Sequence, residues 1–214
     1  MPYKLVFFDL DGTLIDSLPD ITGAVNYILN YYGYESIANE LIKKYIGDGA
    51  KNLLRKAFSN YMENIEDKFI DNSYKIFNNF YRDNFYKETK IYTGVFETFN
   101  KLTTTNILFT NKPLIVAEKI LGLIDFNKYF KRIIGPETYD TKKPDPTPIL
   151  LTLKQLCIPK EEALMIGDSI FDIECAKNAN IKSCAVTYGY ASGYDEIKDA
   201  DYIINNFTDL LNIL

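Results

Sequence analysis

The run YKLVFFDL, residues 3–10, is apolar without the alternation of a half-exposed strand. That pattern belongs to a strand buried on both faces. Further strand-like runs follow at NILFT (106–110), RII (132–134), ALMIG (163–167), KSCAVT (182–187) and DYIIN (201–205). Between them the spacing turns helical: a helix to about residue 122, one from Pro148 to about 157, one over about 170–179, and a short C-terminal one at 208–214. Strands alternating with helices imply a parallel sheet covered on both faces, an α/β fold. Such sheets bind ligands at the carboxyl ends of their strands.

One block breaks this rhythm. Leu18, Ile21, Val25, Ile28, Leu29 and Tyr32 recur at helical spacing, with Ser17 as the expected N-cap, Pro19 and Asp20 in the first turn and Gly33 as the stop. Helical signals continue at about 38–46, 50–62 and 65–87, and no strand is expected between 17 and 90. Residues 17–90 read as a helical unit inserted into a core made of 1–16 and 91–214.

The 214 residues contain no histidine. This excludes Ser-His and Cys-His nucleophile pairs, histidine metal sites and histidine acid–base work. Chemistry is left to carboxylates, lysines, hydroxyls, backbone amides and a hard cation. The net charge of −5 argues against a nucleic-acid partner bound through a broad basic surface, but not against a small anionic substrate. Cys157, Cys175 and Cys184 are odd in number and lack metal-ligand spacing, so reduced thiols in a cytoplasmic protein are expected. Neither a signal peptide nor a membrane-spanning stretch is expected.

The polar residues at the strand ends are few. The first strand ends in Asp9, Asp11, Gly12 and Thr13, and the second in Thr110, Asn111 and Lys112. A later loop carries Lys142 and Lys143, and ALMIG runs into Asp168 and Ser169, with Asp172 one helical turn on. Singly, each reads as a turn or cap residue. Together they put acids, hydroxyls and a lysine on one sheet edge. Carboxylates gathered without His or Cys suit an oxygen-preferring ion such as Mg²⁺, and lysine with hydroxyls suits a phosphate.

DLDGTLIDS, LFTNK, KKPDPTP and IGDSIFD resemble, in order, the four motifs of the haloacid dehalogenase superfamily of phosphatases. The resemblance spans nearly the whole chain. It implies a Rossmann-like core with a parallel sheet and a small α-helical cap domain inserted after the first motif, which 17–90 fits. It implies that Asp9 is the nucleophile, forming an aspartyl phosphate, and that Asp11 is the general acid and then the base. Thr110 and the amide of Asn111 would hold phosphate oxygens, with Gly12 letting the backbone approach. Lys143 would offset phosphoryl charge and steady Asp9. Asp168 would bind Mg²⁺ with Asp9 and the carbonyl of Asp11, supported by Asp172. Asp11 needs a proton near neutrality, which crowding by other acids is expected to favour. An aspartate at that position points to a phosphate ester rather than a halide leaving group.

The substrate is read from weaker features. YIGDGAKNLLRKAF (45–58) and VTYGYAS (186–192) resemble segments of phosphoglycolate phosphatases. Gly47 and Gly49 could present backbone amides to the substrate, and Lys51 or Arg55 could meet a substrate carboxylate; the plain alternative is a tight turn before an amphipathic helix with Leu53, Leu54, Ala57 and Phe58 as core. The expected partner is therefore a small phosphorylated metabolite, with 2-phosphoglycolate first. Sugar phosphates, pyrophosphate, a hexose-phosphate mutase and a non-catalytic phosphate-binding module are the alternatives. A monomer or homodimer is expected.

Overall fold

The computed structural model describes residues 3–214. The chain divides into two compact units, one running to Asp16 and resuming at Ile91–Leu214, the other Ser17–Lys90.

The first unit is built on six strands: β1 (Leu5–Phe8), β4 (Thr105–Phe109), β5 (Arg132–Ile134), β6 (Ala163–Gly167), β7 (Lys182–Val186) and β8 (Tyr202–Ile204). Their order is β5-β4-β1-β6-β7-β8, and every pairing is parallel. The short pair β2 (Ile15–Asp16) and β3 (Lys90–Ile91) stands apart, where the chain leaves and returns.

β1 is central, and Leu5, Val6, Phe7 and Phe8 are all fully buried. One face, with Leu5 and Phe7, packs on Ile107, Phe109, Ile149, Met165 and Ala176, which brings in helices α8 (Thr147–Leu156) and α9 (Ile170–Ala179). The other meets an aromatic cluster: Phe8 lies 4.9 Å from Phe99 between ring centroids, and Phe99 lies 4.9 Å from Phe126 and 6.0 Å from Phe207. Each such side chain contributes about 1.5–3 kcal/mol on burial. The remaining helices are α5 (Val95–Phe99), α6 (Leu114–Leu123), α7 (Pro136–Tyr139) and α10 (Tyr194–Ile197), and the short helix expected at 208–214 is a 3₁₀ helix over Phe207–Asn212.

The second unit holds α1 (Leu18–Tyr31), α2 (Asn39–Lys43), α3 (Ala50–Phe58) and α4 (Asp67–Asn84). Tyr27 stacks on Phe80 at 4.0 Å, joining α1 to α4, and Phe58 meets Phe69 at 4.8 Å, joining α3 to α4. Ser17 sits at the N-cap position, but its side chain does not cap the helix amides. The polar residue at this end that gathers donors is Asp20. Its buried carboxylate accepts from the amides of Lys87 and Glu88, each at 3.0 Å, and from the amide (2.9 Å) and hydroxyl (2.7 Å) of Thr89. The first turn of α1 is thereby fastened to the segment that ends the unit. No helix among the described residues is long and apolar enough to cross a membrane.

Candidate active site

The carboxyl ends of β1 and β6 face the same edge because the two strands are parallel neighbours, with Phe8 beside Ile166. The residues that follow each strand are therefore brought together. Asp9, Asp168 and Asp172 are buried, and each offers one carboxylate oxygen within 4.8 Å of the others. Lys143 reaches them from a loop: its Nζ stands 2.6 Å from Asp9 Oδ1 and 2.6 Å from Asp172 Oδ1.

Burial pushes the Asp9 carboxyl up to about 7, against the pull of Lys143, while Asp172 and Asp11 add to the rise. Burial also holds the Asp168 carboxyl well above the usual carboxylate range, with the charges of Asp9 and Asp172 acting in the same sense. Burial draws the Lys143 ammonium down, yet Asp172 and Asp9 more than offset this and hold it above its ordinary value. These are the marks of acids crowded where one ammonium does not balance them. The donor set is all oxygen, buried and short of positive charge, which fits a hard divalent ion.

Each member is fixed by its neighbours. Asp168 accepts from Thr13 Oγ1 at 3.2 Å and from the amide of Tyr190. Asp172 accepts from the amide (3.1 Å) and hydroxyl (2.6 Å) of Ser169 on its second oxygen, closing the N-terminal turn of α9. Both of its oxygens thus take protein donors, so its direct part is to orient Lys143 and Ser169. Asn111 fixes the loop of Lys143: its Nδ2 donates to the Lys143 carbonyl at 3.1 Å, and its Oδ1 accepts from the Lys143 amide at 2.8 Å. Thr110 is buried and accepts from the Lys112 amide at 3.1 Å. At Gly12, φ is +84°, and a Cβ there would lie 2.2 Å from Asp168 Oδ2. The close approach that requires glycine is thus to the carboxylate of Asp168. A Cβ on Gly189 would lie 2.2 Å from the Cβ of Asp168, so this acid is held between two backbone turns.

Two residues of the site carried no role in the sequence reading. Lys112 is buried, and its Nζ lies 2.9 Å and 3.1 Å from the two oxygens of Asp11. The Asp11 carboxylate is thus met by a cation as well as lying near the acid Asp9. Tyr190 donates its amide to Asp168 and its hydroxyl to Asp16 Oδ1 at 3.0 Å. Sequence offered no signal for either pairing, since Lys112 and Asp11 stand 101 positions apart and Tyr190 and Asp16 174.

The other residues singled out from sequence lie in the helical unit. Gly47 (φ +120°) and Gly49 (φ +80°) shape the turn before α3, and Gly49 is its N-cap. Lys51 pairs with Asp71 at 2.6 Å; Arg55 pairs with Asp67 at 2.6 Å and donates to the Ile65 carbonyl at 2.8 Å. Leu53, Leu54, Ala57 and Phe58 of the same helix are buried.

A family model for haloacid dehalogenase-like hydrolases matches residues 6–186. Among curated proteins, phosphoglycolate phosphatase 1 of Pseudomonas aeruginosa is 36% identical, covering 97% of this chain and 78% of that protein. The phosphoglycolate phosphatase of Vibrio parahaemolyticus is 34% identical, covering 99% and 96%. Among solved structures, that of a predicted phosphoglycolate phosphatase from Haemophilus somnus superposes with a TM-score of 0.92 at 27% identity, covering 99% of this chain and 97% of that one. A predicted phosphatase from Clostridium acetobutylicum gives 0.85 at 29% identity, covering 99% and 98%.

Proposed function

The chain belongs to the haloacid dehalogenase-like hydrolases, and from that premise we propose that it hydrolyses a small phosphate monoester, 2-phosphoglycolate, through a covalent aspartyl phosphate. The observation that carries the reading is the buried Lys143, 2.6 Å from both Asp9 and Asp172 and beside Asp168. The relatives named phosphoglycolate phosphatase, matched over nearly the whole chain, carry the choice of substrate.

In this reading an oxygen of Asp9 attacks phosphorus, and the bond from phosphorus to the ester oxygen breaks. Asp11 gives that oxygen its proton, so the alcohol leaves neutral. A water then attacks the phosphorus, Asp11 takes its proton, and the bond to Asp9 breaks to release inorganic phosphate. A carboxylate is a poor nucleophile towards a dianion, so positive charge must already be in place. Lys143 supplies part of it and holds Asp9 in one rotamer. Thr110 and the amide of Asn111 bind the phosphoryl oxygens, with the turn at Gly12 beside them. Asp9, Asp168 and the carbonyl of Asp11 would hold Mg²⁺, with Asp172 behind them; bound there, the ion supplies the charge that lets two anions meet. We place the protein in the cytoplasm on its three free cysteines, and take it to act as a monomer or homodimer. Gly47, Gly49, Lys51 and Arg55 form the surface of the helical cap proposed to help select the leaving group.

Steady-state hydrolysis of a panel with Mg²⁺ tests this: 2-phosphoglycolate, sugar phosphates and pyrophosphate, with phosphate release as the readout. Preference for 2-phosphoglycolate is expected, and an Asp9→Asn variant with the parent's circular dichroism should lose turnover. A flat panel removes the substrate, and turnover surviving in Asp9→Asn removes the nucleophile.

A further inference from the structure

Lys112 and Lys143 are the two buried lysines among the described residues. Lys143 is accounted for by the two acids it bridges. Lys112 is not used by any step above, although burying an ammonium costs several kcal/mol unless a partner repays it. Its position is held firmly. The Lys112 amide bonds Thr110, and the preceding residue, Asn111, is locked to the Lys143 backbone by two hydrogen bonds. Its Nζ spans both oxygens of Asp11, and its side chain is only 4% exposed, against 13% for Asp11.

We propose that Lys112 is the specificity residue for a carboxylate on the leaving group, exchanging its contact with Asp11 for that carboxylate when substrate binds. The inference rests on the function proposed above and deepens it. Asp11 must turn an oxygen to the ester oxygen, and a hydrogen bond between them spans about 2.7 Å. With Nζ at 2.9 and 3.1 Å from Asp11, the ester oxygen then falls within about 6 Å of the ammonium. In 2-phosphoglycolate a single methylene separates ester oxygen from carboxylate. The carboxylate therefore reaches into the space between the ester oxygen and Lys112, as a charge-assisted bond requires. A neutral leaving group offers the ammonium nothing in return for Asp11. The exchange thus favours acids of this length over alcohols. The two cap cations considered for this role, Lys51 and Arg55, pair with Asp71 and Asp67 of their own unit.

The test compares 2-phosphoglycolate with ethyl phosphate, which has the same ester but a methyl in place of the carboxylate. Both are measured with the parent, Lys112→Met and Lys112→Gln, the last keeping a donor for Asp11 should the methionine variant not fold. In either variant kcat/KM for 2-phosphoglycolate should fall ten- to a hundred-fold further than that for ethyl phosphate, mainly through KM. Equal losses on both substrates would reduce Lys112 to a positioning residue for Asp11, and no loss on either would give it no part; both overturn the inference. A parent that does not prefer 2-phosphoglycolate to ethyl phosphate instead overturns the substrate reading. A parent that prefers it, with variants that keep the same preference, overturns the role of Lys112 alone.

Discussion

Asn111 offers a direct trial of how the site is held. Asn111→Ala removes the donor to the Lys143 carbonyl (3.1 Å) and the acceptor of the Lys143 amide (2.8 Å), both in a buried setting. A buried polar group left without a partner costs about 1–3 kcal/mol, so the two together cost roughly 2–6 kcal/mol. At about 2–4 °C per kcal/mol for a chain of this size, the melting temperature should drop by at least about 4 °C and by up to roughly 20 °C. The chain has no tryptophan, so unfolding is best followed by far-UV circular dichroism. The folded fraction should be slow as well as fragile. Lys143 bridges Asp9 and Asp172 from the loop that Asn111 fixes, and a shift of about 1 Å in such a group costs on the order of a hundred-fold in turnover. Asn111→Asp keeps an acceptor for the Lys143 amide but sets an oxygen against its carbonyl, so it should fail to restore either property. An alanine variant melting within about 2 °C of the parent, with turnover within about three-fold, would refute the claim that this residue organises the lysine loop.

Other outcomes follow from the same geometry. The folded Asp9 carboxyl keeps its proton up to about 7, whereas the ordinary value is 3.8, so the folded state binds more protons across that window and stability falls as pH rises through it. Metal-free protein should therefore melt lower at pH 8 than at pH 6, and added Mg²⁺ should raise the melting temperature more at pH 8; equal gains at both would contradict the crowding of acids. Gly12→Ala places a Cβ 2.2 Å from Asp168 Oδ2 at a φ of +84°, so it should weaken Mg²⁺-dependent thermal stabilisation at least ten-fold in midpoint concentration, and an unaltered midpoint would refute the close approach. Asp20→Ala strips the acceptor from the amides of Lys87, Glu88 and Thr89, so limited proteolysis should cut near 85–90 much faster than in the parent; equal rates would deny that this carboxylate ties the segment down.

What could be read in advance depended on how local the cause was. ALMIG and the helix after it are specified by their own residues, and the strand Ala163–Gly167 and helix Ile170–Ala179 occupy those positions. Val95–Phe99, Pro136–Tyr139 and Tyr194–Ile197 are helices of one turn, too short to show a period, and tertiary contacts decide them. The helix expected to run to about 87 stops at Asn84, because the segment after it turns its amides to Asp20. In the site, acids at the ends of apolar runs are visible because parallel strands bring their ends together. The ammonium of Lys112 on Asp11 and the hydroxyl of Tyr190 on Asp16 are not, since no strand-end pattern or motif pairs those residues across the chain. Ser17 shows the limit of local rules: it occupies a capping position without capping.

The insertion also bears on how the protein assembles. Strand β1 must pair Leu5 with Thr105, a closure over 100 positions, before the centre of the sheet exists. An unstructured loop of that size is entropically costly, and each halving of its effective length recovers about 0.6 kcal/mol. Were the helices of Ser17–Lys90 to form first, with Asp20 gripping Lys87–Thr89, they would shorten that span before the strands meet. The rate at which the sheet forms is then set in part by residues that never enter it, and a weakened helical block should slow refolding of the whole chain more than it speeds unraveling.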